Sequence, residues 1–89
     1  MTRDQFPPRE KPVRARIRGM VFPAAWDEKG QILSVVIDTP DEQQYVVEPD
    51  EKGKDLIRLT RCEIDAEGNV WVNSSGTMVI RIQHYLILK

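Results

Sequence analysis

Three arginines, Arg14, Arg16 and Arg18, recur at every second position near the start of the chain. In an extended strand that spacing sends all three guanidinium groups to one face, within about 13 Å of one another at a rise of about 3.3 Å per residue. Such a cationic row can track the phosphates of a nucleic acid. It can equally be a solvated outer face, matched by carboxylates on adjacent strands such as Asp38 or Asp65. Two tryptophans add flat apolar surface. Trp26 stands in a loop beside charged residues. There it is either a stacking platform for a base, a sugar or a partner's anchor, or a lid over a core with its indole nitrogen left wet. Trp71 is out of phase with Val70 and Val72. It therefore belongs on the outer face of its strand, where it can shield an aliphatic residue across the ladder.

Catalytic and metal chemistry find little support. His84 is the single histidine and Cys62 the single cysteine, and neither has a partner at ligand spacing. A thiol nucleophile needs an adjacent base, which the sequence does not place beside Cys62, so both residues read as structural. Glu48, Asp50 and Glu51 lack the glycine-punctuated spacing of a calcium loop and read as a solvated acidic turn. No phosphate-cradling glycine loop and no Gly-x-Ser-x-Gly elbow occurs. The expectation is a non-enzymatic protein with no cofactor and no metal.

These residues need a scaffold, and 89 residues provide one modest core. Hydrophobic residues make up 40% and charged residues 30%, an ordinary soluble composition. No apolar run approaches the 18 to 20 residues, roughly, that a membrane span requires. The first eight residues lack the apolar segment of a secretory signal, and a lone cysteine fits a reducing compartment, so the expected location is cytoplasmic. The formal net charge of −1 is unevenly spread: residues 1–18 hold six bases and two acids, whereas residues 38–55 hold seven acids and two lysines. That asymmetry fits an interaction arm, or a basic first strand whose charge is cancelled by acidic neighbours.

Residues 1–12, with Pro7, Pro8 and Pro12 and no apolar period, read as a flexible arm. The domain proper spans 13–89. A first strand runs from Val13 to about Phe22, with Val13, Ala15, Ile17, Gly19 and Val21 on one face, and Pro23 ends it. A second strand runs from Ile32 to about Thr39, with Leu33, Val35 and Ile37 on one face. A third runs from Gln44 to Glu48 after a short turn, which makes it the second strand's antiparallel neighbour. Leu56 and Leu59 have helical spacing, so a short helix extends from Pro49 or Glu51 to Leu59, weakened at Gly53 by about 1 kcal/mol. It serves to plug one end of the sheet. Glu63 to Asn73 reads as one long strand bent at Gly68, in preference to two strands around a turn at 65–69. A turn at 73–77 and a last strand, Met78 to Leu88, complete the chain.

Arg16-Ile17-Arg18-Gly19-Met20-Val21 and Asp65-Ala66-Glu67-Gly68-Asn69-Val70 share one pattern, an alternating strand interrupted by a glycine. Glycine inside a strand marks a bulge or bend where a sheet curls toward closure. The expected fold class is all-β, a small barrel with one short helix. Those two bends, the Gly53–Leu59 segment and the closing Ile80–Tyr85 stretch resemble the OB-fold, in particular small stand-alone bacterial OB-fold proteins. That fold is a five-stranded Greek-key barrel, here with its helix between the third and fourth strands. The resemblance covers about 13–88 and carries no sharp functional motif. It implies a ligand face on the second and third strands (Val36, Val46, Asp38, Gln44 and Glu48). Two loops would frame it, one with Trp26 and Lys29 and the other beside Trp71.

The candidate contacts are therefore Arg14, Arg16, Arg18, Trp26, Lys29 and Trp71. The candidate partners are single-stranded nucleic acid or another protein, and the chain is expected to be a monomer or a weak homo-oligomer. The acids around the implied face, Asp27, Glu28, Asp38, Asp41, Glu42 and Glu48, weigh against a phosphate ligand. An arginine row matched by carboxylates would favour a protein partner.

Overall fold

Period-two alternation of apolar and polar residues governs most of the chain, and strands form where it runs. The computed structural model describes residues 11–88. The strands are β1 (Val13–Trp26), β2 (Ile32–Asp38), β3 (Gln44–Val47), β4 (Glu63–Val72) and β5 (Met78–Leu88). Between β3 and β4 lie α1 (Glu51–Asp55) and, directly after it, a 3-10 turn over Leu56–Leu59. The all-β class and this order agree with the sequence reading. Of the expected arm, only Lys11 and Pro12 are described; both are exposed and precede β1, and the rest lies outside the described residues.

The five strands form one sheet that closes into a ring in the order β1-β2-β3-β5-β4, with β4 returning to β1. Every pairing is antiparallel except the short β3–β5 seam, where Val46 faces Val79 and Val47 faces Ile80 in parallel register. Met20 is flanked on both sides, by Asp38 of β2 and Glu63 of β4. The core inside the ring comprises Val21, Val35, Ile37, Val47, Leu56, Ile64, Ala66, Ile80 and Ile82. Burying each larger aliphatic contributes about 2 kcal/mol.

Two glycines let the ring close at this radius. A Cβ on Gly19 would overlap the carbonyl oxygen of Asp38, and one on Gly68 would overlap the carbonyl oxygen of Arg81. At Gly68 the β4–β5 ladder also shifts register: Glu67 faces His84 while Gly68 faces Ile82, which leaves Gln83 unopposed. The single-strand reading across Gly68 holds.

Several local expectations fail. Pro23 does not end β1; it sits opposite Val35, and the register then slips at Ala24 and again before Trp26. Proline is tolerated there because an irregular ladder demands fewer donors. Trp26 is consequently the last residue of β1, opposite Ile32, and not a loop residue. Leu33 keeps the phase of Val35 and Ile37 yet is exposed, because the β1–β2 ladder slips there and leaves it unopposed while Ile32 packs on the core. Val72 and Val13 are also exposed, at the end of β4 and the start of β1.

The helix is split. Asp50 caps α1 by accepting from the Gly53 N–H at 2.9 Å, as an aspartate at that position does. Gly53 is buried, and a Cβ there would overlap the Glu48 carbonyl oxygen. A residue expected only to weaken the helix is what allows α1 to lie against the end of β3. The 3-10 turn then drives Leu56, fully buried, into the core.

Candidate functional site

The register of β1 on β4 creates the most organised polar surface. Arg14, Arg16 and Arg18 all project from the outer face of β1, as their spacing requires, opposite Asn69, Glu67 and Asp65 respectively. Arg14 and Arg16 reach diagonally, whereas Arg18 meets the residue directly opposite it. Arg16 donates from Nε to Asp65 Oδ1 at 2.9 Å and from Nη2 to Asp65 Oδ2 at 3.1 Å. Arg14 Nη2 lies 3.4 Å from Glu67 Oε2, and Arg18 Nη2 lies 4.0 Å from Asp65 Oδ2. Three cations therefore share two carboxylates. Asp65 was among the counter-charges anticipated for this row; Asp38, the other, faces Met20 instead.

Titration follows the geometry. The hydrogen-bonded Arg16 guanidinium holds the Asp65 carboxyl below the ordinary carboxylate range, against the opposing effect of desolvation. The same bond raises Arg16 above its ordinary value. A fourth paired arginine escaped the sequence reading. Arg81 on β5 donates to Glu48 Oε1 and Oε2, both at 3.2 Å, and its Nε lies 3.8 Å from Asp50 Oδ2. The Glu48 hydrogen bond raises Arg81 in turn. No sequence spacing joins these residues; only the parallel seam does.

Trp26 is 55% exposed at the tip of the β1–β2 hairpin. With Asp27, Glu28, Lys29 and Gln31 it lines an open groove of about 470 Å³. The turn is held by Asp27, whose Oδ1 accepts from the N–H groups of Lys29 and Gln31. The indole is thus free to stack, but two carboxylates and one ammonium surround it. Trp71 lies on the outer face of β4 opposite Val79, the aliphatic neighbour its phase suggested.

The six candidate contacts do not form one patch. Trp71 lies four residues along β4 from Glu67, the residue opposite Arg16, or about 13 Å away. Trp26 and Lys29 lie at the far end of β1, eight and eleven positions beyond Arg18, with about 26 Å of strand between Arg18 and Trp26. The implied ligand face on β2 and β3 carries the outward pair Val36–Val46 and the pair Asp38–Gln44. Beside it, Asp38, Thr39, Glu42, Gln43 and Gln44 line a groove of about 410 Å³ that contains acids and no base. Asp38 Oδ1 is buried there without a hydrogen-bond partner.

A groove of about 590 Å³ crosses β5 and takes in one of the candidate contacts, Arg16. It is lined by Arg16, Asp65, Glu67, His84, Tyr85 and Leu86 together with Lys52 of α1. His84 is exposed within it, opposite Glu67, whereas Cys62 packs half-buried against the core. The Tyr85 hydroxyl donates to Asp55 Oδ2 at 3.3 Å, and burial raises its pKa. The available signal was the unbroken apolar run Tyr85-Leu86-Ile87-Leu88, which departs from alternation at the end of the last strand.

Among the described residues, no three His, Cys, Asp or Glu side chains group to hold a metal ion. No helix among them is long and apolar enough to cross a membrane. No protein-family model, curated protein or solved structure matches the chain.

Proposed function

We propose that the chain is a non-enzymatic OB-type binding module, a five-stranded Greek-key barrel with one plugging helix, and that its ligand is another protein. The strand order, the helix between β3 and β4 and the parallel β3–β5 seam support the OB-type reading. One observation carries the choice of ligand: Arg14, Arg16 and Arg18 are all engaged by Asp65 and Glu67. On this face a phosphate backbone must displace those carboxylates before it meets a free cation, and the acidic groove beside β2 and β3 offers none in their place. Protein surfaces, by contrast, accommodate a mixed-charge rim beside exposed aromatic and aliphatic anchors.

Titration of a fluorescent single-stranded DNA at low salt, about 20 mM, tests this reading. No binding is expected. Binding that weakens as salt rises would overturn it and would point to Trp26 and Lys29 as the contact.

A further inference from the structure

β1 changes partners along its length. Its register with β4 runs without a shift from Val13 to Met20, whereas its pairing with β2 begins only at Met20. Beyond Asp38 the chain closes on itself in a turn, where the Thr39 N–H donates to the Gln43 carbonyl and the Glu42 N–H to the Thr39 carbonyl. Among the described residues, the side of β1 away from β4 therefore has no strand partner from Val13 to Gly19. Val21 fixes which backbone groups lie there. Its N–H donates to the Cys62 carbonyl and its C=O accepts from the Arg61 N–H, both immediately before β4. Along a regular strand these groups alternate between the two edges, residue by residue. Ile17 and Gly19 thus also turn theirs to β4, and Met20 turns its own to Asp38. Arg14, Arg16 and Arg18 share the phase of Met20, so their N–H and C=O groups point to the bare edge as a template for another strand.

The same three residues set the charge of that edge. Their side chains are more than half exposed, and together they share only two carboxylates. A guanidinium carries five N–H donors, so these contacts leave donors on all three. β4 shows what such a row accepts. Glu63-Ile64-Asp65-Ala66-Glu67 lies along the other edge of β1, with carboxylates at every second position on the outer face and Ile64 and Ala66 buried. A second copy of the chain fits the bare edge poorly. A two-fold axis at Arg16 sets Arg16 against Arg16 and Arg14 against Arg18, and like charges directly opposite repel. The row that rejects a cationic strand favours one with the charge pattern of β4.

We infer that the free edge of β1, from Val13 to Gly19, takes an extended acidic segment of a partner protein as an added strand, with carboxylates at every second position beside Arg14, Arg16 and Arg18. The inference rests on reading the chain as a protein-binding module and names the partner's chemistry. Main-chain hydrogen bonds to the three arginine residues supply the affinity, and forming them displaces neither Asp65 nor Glu67. The guanidinium row then selects which strand is added. A phosphate backbone offers no such ladder.

Fluorescence anisotropy of short labelled peptides, titrated with the full chain to about 1 mM, tests the inference. One peptide alternates glutamate with valine, a second has the same composition with its glutamates consecutive, and a third alternates lysine with valine. The first is expected to bind about tenfold or more tighter than either of the others. Arg14→Pro removes an N–H from the bare edge and none from the β4 side, whereas Arg14→Thr removes the charge alone. With folding of both checked by circular dichroism, the proline variant should bind the alternating acidic peptide about threefold more weakly than the threonine variant. The inference is overturned if that peptide does not bind, if its consecutive isomer binds equally well, or if the two folded variants bind it alike. Such a failure with single-stranded DNA also unbound at low salt removes the edge inference alone; DNA binding removes the protein-binding reading, whatever the peptides do.

Discussion

Arg16 faces Glu67 across the β1–β4 ladder, yet both of its side-chain hydrogen bonds go to Asp65, two residues along β4 on the same face. The offset leaves Glu67 for Arg14, while Arg18, directly opposite Asp65, lies 4.0 Å from the Oδ2 that Arg16 also bonds. Two carboxylates thereby occupy three cations, and the electrostatic character of the whole face depends on Asp65.

That dependence has a pH signature. The carboxyl of Asp65 is held below its ordinary value in the folded chain, so the folded state binds fewer protons than the unfolded one across that interval. The stabilisation is fully present above the unfolded carboxylate value of about 3.9 and is lost as pH falls through the lowered folded value. Asp65→Asn is expected to melt below the parent chain at neutral pH, with the difference shrinking on acidification. A difference that is constant with pH would contradict this origin.

Releasing the ladder should create an affinity that the parent chain lacks. Asp65→Asn combined with Glu67→Gln leaves three arginines uncommitted on one face. The double variant is expected to bind single-stranded DNA at low salt, with a log–log salt slope near −2, as about three phosphate contacts imply. Fluorescence anisotropy checks it; equal behaviour of variant and parent would show that the pairing does not mask the arginines.

Space, not backbone conformation, fixes Gly68. Gly68→Ala forces its Cβ into the carbonyl of Arg81 in a bulged ladder and should cost about 3 kcal/mol in urea unfolding. Gly30→Ala is a useful contrast. Gly30 has open space around its Cβ position but a φ of 83°, so the expected cost is about 1 kcal/mol.

The helical plug is expected to contribute chiefly through one side chain. Leu56 is fully buried beneath the 3-10 turn, and Leu56→Ala should lose about 3 kcal/mol. Hydrogen exchange across 51–59 should quicken in this variant before the strands respond.

The parts legible in the sequence were those governed by local periodicity. β4 was readable as one strand because Ile64, Ala66, Gly68 and Val70 keep phase through the glycine, and all are buried or half-buried. The arginine row was readable because spacing by two fixes a face. What failed depended on contacts distant in sequence. Pro23 looks like a terminator until Val35 is placed opposite it in an irregular ladder. Leu33 has the right phase, but phase does not show the ladder slip that leaves it unopposed. The diagonal choice of Asp65 by Arg16 requires the β1–β4 register, and the pairing of Arg81 with Glu48 requires the seam. Trp26, Lys29 and Trp71 were grouped by the fold they resemble; Trp26 and Lys29 do share the β1–β2 hairpin groove, while Trp71 stands on β4.

The parallel β3–β5 seam and the β1–β4 ladder are the junctions that delay the assembly of this chain. Glu48 and Arg81 at the seam are 33 residues apart, and the β1–β4 partners Met20–Glu63 and Val13–Val70 are more distant still. Hairpins form in microseconds, but a junction between such remote segments carries the entropy of a long loop and forms late. Until it does, the growing ribbon has bare margins and an uncovered interior, so newly made chains are most vulnerable to wrong neighbours in the interval before the last two strands meet.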